Sequence, residues 1–302
     1  MRIVMEYGPT SNEISRQDWD FVFYGVEIDD RSEIAISYVK QFGKSECCIH
    51  YMATEGKIII GNEEREVWAD DIYDFLVEIG INSSSKILLE SSSLGVAELL
   101  LLIQSFKEIG CCTFDVLYLE PKHYHKQTID FTDRRQFDLS TSFNGFIAIP
   151  GHALSFESWD KAVVLCGFES ERLGRAFDEI DLQGRNCQLV FGMPPYTVGW
   201  DMNSYANHLS IIEGYNIPLE FYYAGASNPL SVCEILSKVY NGLEDEQKLF
   251  ILPLGTKPMS IGACVFKVSN DYSNLSILYD HPIRKQGRSK EISRWNLYHI
   301  AL

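Results

Sequence analysis

A chain of 302 residues has room for one large α/β domain or two modest ones. Hydrophobic residues make up 46% and charged residues 23%, a balance that buries a real core and excludes a disordered chain. The formal charge of −16 repels nucleic acid and anionic membrane over most of the surface. Direct nucleic-acid binding is therefore not expected, and any basic site has to be a local island.

The first residues, Met1 to Tyr7, read as a short strand and lack the apolar core of a signal peptide. Phe21 to Ile28 and Cys48 to Met52 read as strands. Lys57 to Ile60 and Glu66 to Trp68 form a strand pair around Gly61-Asn62, a hairpin signal. Asp70 to Ile79 is a helix capped by Asp70 or Asp71. Lys86 to Glu90, a helix over Leu94 to Ile109, and Phe114 to Leu119 make one βαβ unit. The most apolar run, Leu94 to Ile103, contains Glu98 and is too short to span a bilayer. A cytoplasmic protein without membrane contact is expected.

Residues 121–146 are polar and irregular, with His123, His125 and the run Asp133-Arg134-Arg135. They read as a linker or long loop. This places a boundary near 135, with an N-terminal α/β region over 1–135 and a Rossmann-like domain over 136–302. From Ala162 onward strands alternate with helices. Ala162 to Gly167, Cys187 to Gly192, Leu219 to Ala224, Lys248 to Leu254 and Leu275 to Tyr279 are the strands. Ser170 to Asp181, Trp200 to Ile212, the helix from Asn228-Pro229 to Tyr240, and Pro258 to Val268 lie between them. Such alternation implies a Rossmann-like, mainly parallel sheet with helices on both faces. Trp295 to Leu302 reads as an edge strand.

In a parallel sheet, ligands bind beyond the carboxyl ends of the strands, where helix N-termini point. Three loops there are small and polar: Ser91-Ser92-Ser93, Gly225-Ala226-Ser227-Asn228, and Gly255-Thr256-Lys257-Pro258. In the third, Gly255 permits close backbone approach, Thr256 offers a hydroxyl, and Lys257 adds charge to the helix end. Ordinary capping accounts for Asn228 and the serines equally well. After the last of these strands come Asp280 and His281, placed for acid–base work or for a simple turn before Pro282. Arg284, Lys285, Arg288, Lys290 and Arg294 follow, five of the chain's 26 basic residues, and could join Lys257 in a local anion pocket or balance acidic neighbours.

Other candidates have plainer readings. His123 and His125 are read as an exposed polar pair, and no metal site is expected. Glu90 and Glu120 end strands and could meet a ribose or a metal, or be solvated. Trp200, Asp201, Asn203, Tyr205 and Asn207 could stack on and hydrogen-bond a base, or form the polar face of a helix. The eight cysteines lack a Cys-x-x-Cys clip and read as reduced, buried thiols.

The strand Leu249 to Leu254, the turn Gly255-Thr256-Lys257-Pro258-Met259, the small residues Ile261-Gly262-Ala263 and the strand at Ile277-Leu278-Tyr279 together resemble the CARF domains. These are Rossmann-like sensors of cyclic oligonucleotide messengers in prokaryotic antiviral defence. The resemblance implies that Thr256 and Lys257 contact ligand phosphate and that the protein is a homo-oligomer, a dimer with ligand on its two-fold axis.

The reading is thus a nucleotide-binding regulatory or interaction subunit. Its partner would be a nucleotide or other phosphate-bearing small molecule, with room for a protein partner. Its contacts would be Gly255, Thr256, Lys257 and Arg284, lined by Ser91, Ser92 and Ser93 or by Ser227 and Asn228. The alternatives are an enzyme on a nucleotide or phosphosugar using Asp280 and His281, and a protein-interaction scaffold. The cofactor is left open.

Overall fold

The computed structural model describes residues 1–9, 14, 18–61, 64–125, 137 and 139–302. In chain order its elements are β1 (Arg2–Gly8), β2 (Trp19–Tyr24), α1 (Asp30–Val39), β3 (Gly43–Met52), β4 (Lys57–Ile60), β5 (Arg65–Trp68), α2 (Ile72–Glu78), β6 (Ile87–Glu90), α3 (Val96–Ile109), β7 (Thr113–Tyr124) and β8 (Ser140–Phe143). Then follow β9 (Lys161–Leu165), α4 (Ser170–Ile180), β10 (Cys187–Gly192), α5 (Trp200–Gly214), β11 (Tyr222–Ala224), α6 (Pro229–Tyr240), β12 (Leu249–Pro253), α7 (Lys257–Ser269), β13 (Leu275–Ile277), β14 (Pro282–Arg284) and β15 (Ser289–Ala301). The protein is α/β, as its strand–helix alternation implies.

Two compact units form. Unit 1 is Met1–His123 with Gln286–Leu302, and unit 2 is Tyr124–Lys285. The expected boundary near 135, with Asp133, Arg134 and Arg135, lies outside the described residues, as does Asn62 of the hairpin signal. The division also differs from the expected one at the far end. The last strand joins the N-terminal sheet instead of the Rossmann-like one.

Unit 1 holds an eight-stranded sheet in the order β1-β15-β7-β6-β2-β3-β4-β5. Its centre, β7-β6-β2-β3, is parallel. The β3-β4-β5 side is antiparallel, with Ile60 opposite Arg65. β15 is not the expected edge strand. It lies between β1 and β7, and its Trp295, Leu297, Tyr298 and Ile300 are all buried. One face of the sheet packs Val22, Tyr24, Leu88, Leu117, Leu119, Trp295 and Leu297 against Ala35, Ile36 and Val39 of α1.

That helix was not anticipated, because its buried face includes Arg31 and Ser32, which hide the apolar period. Its start is nevertheless well specified. Asp29 and Ser32 form a reciprocal capping box, each side chain bonding the other's backbone. The strand before it stops at Tyr24, short of the expected Ile28, where Gly25 lies close against the loop after β6. A Cβ there would lie 2.7 Å from the Ser93 carbonyl oxygen.

Unit 2 is built on a five-stranded parallel sheet in the order β11-β10-β9-β12-β13. Numbered along the chain this is 3-2-1-4-5, the doubly wound Rossmann order. Ala162, Val164, Leu189, Phe250 and Leu252 pack on Leu173 and Phe177 of α4 and Ile212 of α5. Val163, Leu165, Val190 and Ile251 alternate to the opposite face, where α6 and α7 pack against each other and the sheet. Strands this short and buried on both faces explain the continuous apolar runs. A small pair, β8 with β14, completes the unit. Among the described residues, no helix is long and apolar enough to cross a membrane.

Candidate functional site

The strand order fixes where a crevice should open. Winding reverses between β9, the first strand of the parallel sheet of unit 2, and β12, its fourth, so the loops after these two strands flank the switch point. Both carry a glycine under contact pressure. A Cβ on Gly167 would lie 2.4 Å from the Leu254 carbonyl oxygen. A Cβ on Gly255 would meet the carbonyls of Leu165 and Cys166 at 3.1 Å. Glycine is required at 167 because the two loops touch backbone to backbone.

The Gly255-Thr256-Lys257-Pro258 loop enters α7 as expected. Thr256 is the N-cap, its hydroxyl accepting from Met259 N–H at 3.5 Å. The same hydroxyl donates to the Ala226 carbonyl at 2.6 Å and so ties this loop to the one after β11. Pro258 contributes no N–H. What the loop presents is therefore the half-buried Gly255 backbone and the half-buried Lys257 at the positive end of a 13-residue helix.

Asn228 caps α6, accepting from Leu230 N–H at 3.0 Å and Ser231 N–H at 3.3 Å, with Pro229 in the first turn. Its side-chain oxygen is engaged in capping. Ser227 beside it is half-buried.

An ion network lies beside the switch point. Arg172 on α4 is 6% exposed, yet donates to both oxygens of Asp280, from Nε at 2.7 Å and from Nη2 at 2.5 Å. Its Nη1 donates to the Leu254 carbonyl at 3.2 Å, one residue before Gly255. Glu169 lies 3.9 Å from Nη1 and accepts from the Ser140 hydroxyl at 3.1 Å. Asp280 is thus a structural counter-ion, 1% exposed. His281 is 7% exposed, with Nε2 on the Ile147 carbonyl at 2.9 Å and its ring against Tyr279. Its backbone sits in the left-handed region at φ 44. Asp280 is thus held by the guanidinium, and His281 Nε2 by a backbone carbonyl.

Unit 1 treats its own switch point differently. There the reversal falls between β2 and β6, and the loop after β6 is Ser91-Ser92-Ser93. These serines belong to unit 1. Their donors converge on the chain's own Glu90 carboxylate, which is wholly buried. Ser92 N–H donates at 2.6 Å, Ser93 N–H at 2.9 Å, and the Ser93 hydroxyl donates as well. The Ser93 oxygen also accepts from Gly25 N–H at 2.8 Å, and Ser92 from Leu119 N–H at 3.1 Å. The Ser91 hydroxyl donates to the Leu117 carbonyl at 2.8 Å. Burial pushes the Glu90 carboxyl above its ordinary value, opposed by the serine bonds. The nest an external anion would need is filled from within.

The basic stretch divides. Arg284, half-buried in β14 opposite Ser140, and Lys285 belong to unit 2. Arg288, Lys290 and Arg294 belong to unit 1. Burial raises the Asp29 carboxyl, but Arg31, Ser289, Ser32 and, least, Arg288 outweigh it and hold it below its usual range. Arg294 Nε lies 3.6 Å from Glu120, which is 1% exposed and accepts from Asn296 at 3.0 Å. Neither glutamate is a solvated strand end.

The amide-and-aromatic group on α5 is also committed to packing. Trp200 is buried among Tyr124, Phe137 and Phe168, with centroids 5.1, 5.4 and 5.5 Å away. Asn207 donates to the Phe168 carbonyl at 3.0 Å, and Tyr205 packs on Phe191 and Phe221. Asp201 is half-buried in the first turn. His123 and His125 are exposed. Of the cysteines, Cys111, Cys166, Cys187, Cys233 and Cys264 are buried, but Cys47 and Cys48 are half-buried and Cys112 is exposed. Burial pushes the Cys187, Cys233 and Cys264 thiols up to about 12. Among the described residues, no group of three or more His, Cys, Asp or Glu is placed to hold a metal.

Sequence reasoning missed Gly167 and Arg172. Gly167 carried a signal, as a glycine closing a buried strand at the first βα turn. Arg172 gave none, since an arginine on an amphipathic helix reads as exposed.

No protein-family model matches the chain, and no curated protein matches it. Among solved structures, the crystal structure of a ketoreductase domain from the bacillaene assembly line is similar at 9% identity and a TM-score of 0.22. The match covers 87% of this chain and 66%, just under two thirds, of that one. A likeness so distant carries no argument about activity or substrate.

Proposed function

We propose that unit 2 binds a nucleotide or another phosphate-bearing small molecule over the carboxyl edge of β9 and β12, and that the protein acts as a cytoplasmic regulatory or interaction subunit. One observation carries this reading. The strand order puts the sheet's switch point where Gly167 and Gly255 strip side chains from both flanking loops, and where Lys257 begins a helix. Backbone clear of side chains, a helix N-terminus and one ammonium suit a phosphate. The Gly255-Thr256-Lys257-Pro258-Met259 turn resembles that of the CARF domains, and on that resemblance the ligand would be a cyclic oligonucleotide and the protein a homo-oligomeric sensor of prokaryotic antiviral defence. Asp280 and Arg172 support the loop from behind, so a binding role is favoured over acid–base catalysis.

A thermal-shift screen with mono-, di- and cyclic oligonucleotides tests the reading, with Lys257→Ala alongside. A ligand at about 100 times its Kd adds about 2.7 kcal/mol to stability, a rise of several degrees. The rise is expected in the wild type and lost in Lys257→Ala. No shift with any nucleotide, in a folded protein, overturns it.

A further inference from the structure

Edge strands offer unpaired backbone groups, and proteins guard them by keeping them short or charged. In unit 2 the edges are guarded by length, since β11 and β13 have three residues each. At one end of the unit 1 sheet, β5 has four residues and sits among ion pairs, Lys57 with Glu66 and Arg65 with Glu78. The other end is different. β1 has seven residues, Arg2-Ile3-Val4-Met5-Glu6-Tyr7-Gly8, and pairs with β15 on one side. Met1, Val4 and Tyr7 are 51%, 40% and 60% exposed.

We infer that β1 is the interface to a second copy of this chain, joining the two eight-stranded sheets antiparallel across a two-fold axis at Val4. The register is what selects the partner. Centred on Val4, the strand opposes Val4 to Val4, Ile3 to Met5, Arg2 to Glu6 and Met1 to Tyr7 of the copy. Every apolar side chain meets an apolar one, and the charged pair meets with opposite sign, twice by symmetry. Centring on Met5 opposes Val4 to Glu6. Moving half a step sets Arg2 against Met5 in one direction and Ile3 against Glu6 in the other. Arg2 is exposed and enters no ion pair among the described residues. Glu6 meets His299 Nε2 at 3.3 Å and stays on the Arg2 side of the strand, two residues further along each time.

Sedimentation velocity over a concentration series tests this on the full, untagged chain, with far-ultraviolet dichroism and a melt to confirm folding. The wild type is expected to dimerise. Arg2→Glu turns both charge pairs repulsive and raises the dimer Kd about tenfold or more. Val4→Lys, which opposes two ammonium groups on the axis, does the same. Arg2→Glu/Glu6→Arg restores the complementarity with signs exchanged and recovers the dimer. A wild type that stays monomeric at about 100 times the protein concentration of a routine assay overturns the inference. So does a dimer indifferent to Arg2→Glu and Val4→Lys, because its interface then lies elsewhere. A dimer broken by both single variants but not recovered by the charge exchange overturns the register.

Discussion

Replacing Arg172 by Met keeps most of the side chain's volume and removes its charge. The cost can be worked from what is left behind. Asp280, 1% exposed, loses both of its hydrogen-bonded guanidinium contacts at 2.5 and 2.7 Å, and the Leu254 carbonyl loses its donor at 3.2 Å. Breaking a buried pair from one side costs about 3–5 kcal/mol, because an uncompensated charge stays in the interior. For a unit of this size that is about 10 °C in Tm. Asp280→Asn alone strands the guanidinium, and is expected to cost less because Glu169 and the Leu254 carbonyl still face it. The double variant Arg172→Met/Asp280→Leu should cost clearly less than the sum of its parts. Urea titration with a double-mutant cycle measures this, read on the transition of unit 2. Hydrogen exchange of the amides after Leu254 shows whether the Gly255 loop loosens with it. A single-variant cost below about 1 kcal/mol, or strict additivity, refutes the argument that this pair is desolvated and coupled.

Two further outcomes follow from the packing and charge of the two switch points. The folded state raises the Glu90 carboxyl above its ordinary 4.5, so it holds a proton at pH values where the unfolded chain has released it. Its contribution to stability is therefore complete below that value and declines as pH rises through the folded one. Glu90→Gln should flatten the dependence of the denaturation midpoint as pH rises above the ordinary carboxylate range, and an unchanged slope would show that Glu90 does not titrate there. Gly167→Ala should destabilise unit 2 by about 1–3 kcal/mol, since its Cβ falls 2.4 Å from a backbone oxygen that cannot rotate away. Gly214→Ala, in open space at the end of α5, serves as its control and should be neutral or slightly stabilising on thermal melting.

Much of unit 2 was legible in the sequence because its strands are buried on both faces and punctuated by capping residues. Asn228-Pro229 and Thr256 mark their helices within a residue, as capping chemistry is local. Unit 1 was less legible where its core includes charge. Arg31 lies under the sheet, donating to the Leu119 carbonyl at 2.8 Å and the Tyr118 hydroxyl at 3.0 Å, so α1 shows no clean apolar stripe. The serine loop shows a different limit. Composition identified a nest of donors, but not that Glu90, one residue upstream, folds back to fill it. The placement of β15 was hidden for a third reason. Its pairing with β1 joins the two ends of the sequence, Arg2 opposite Ala301, and no local pattern encodes it.

That pairing has a consequence for the order of assembly. Unit 2 is continuous, so all of its strands are available once residue 285 has been made. Unit 1 is not. Its first 123 residues emerge early with the slot between β1 and β7 empty, and β15 arrives only after the intervening unit. Domains fold as units during synthesis, and long-range strand pairing is the slow step. The insert should therefore mature first, while the earlier-made half waits with two open strand borders until β15 enters between them.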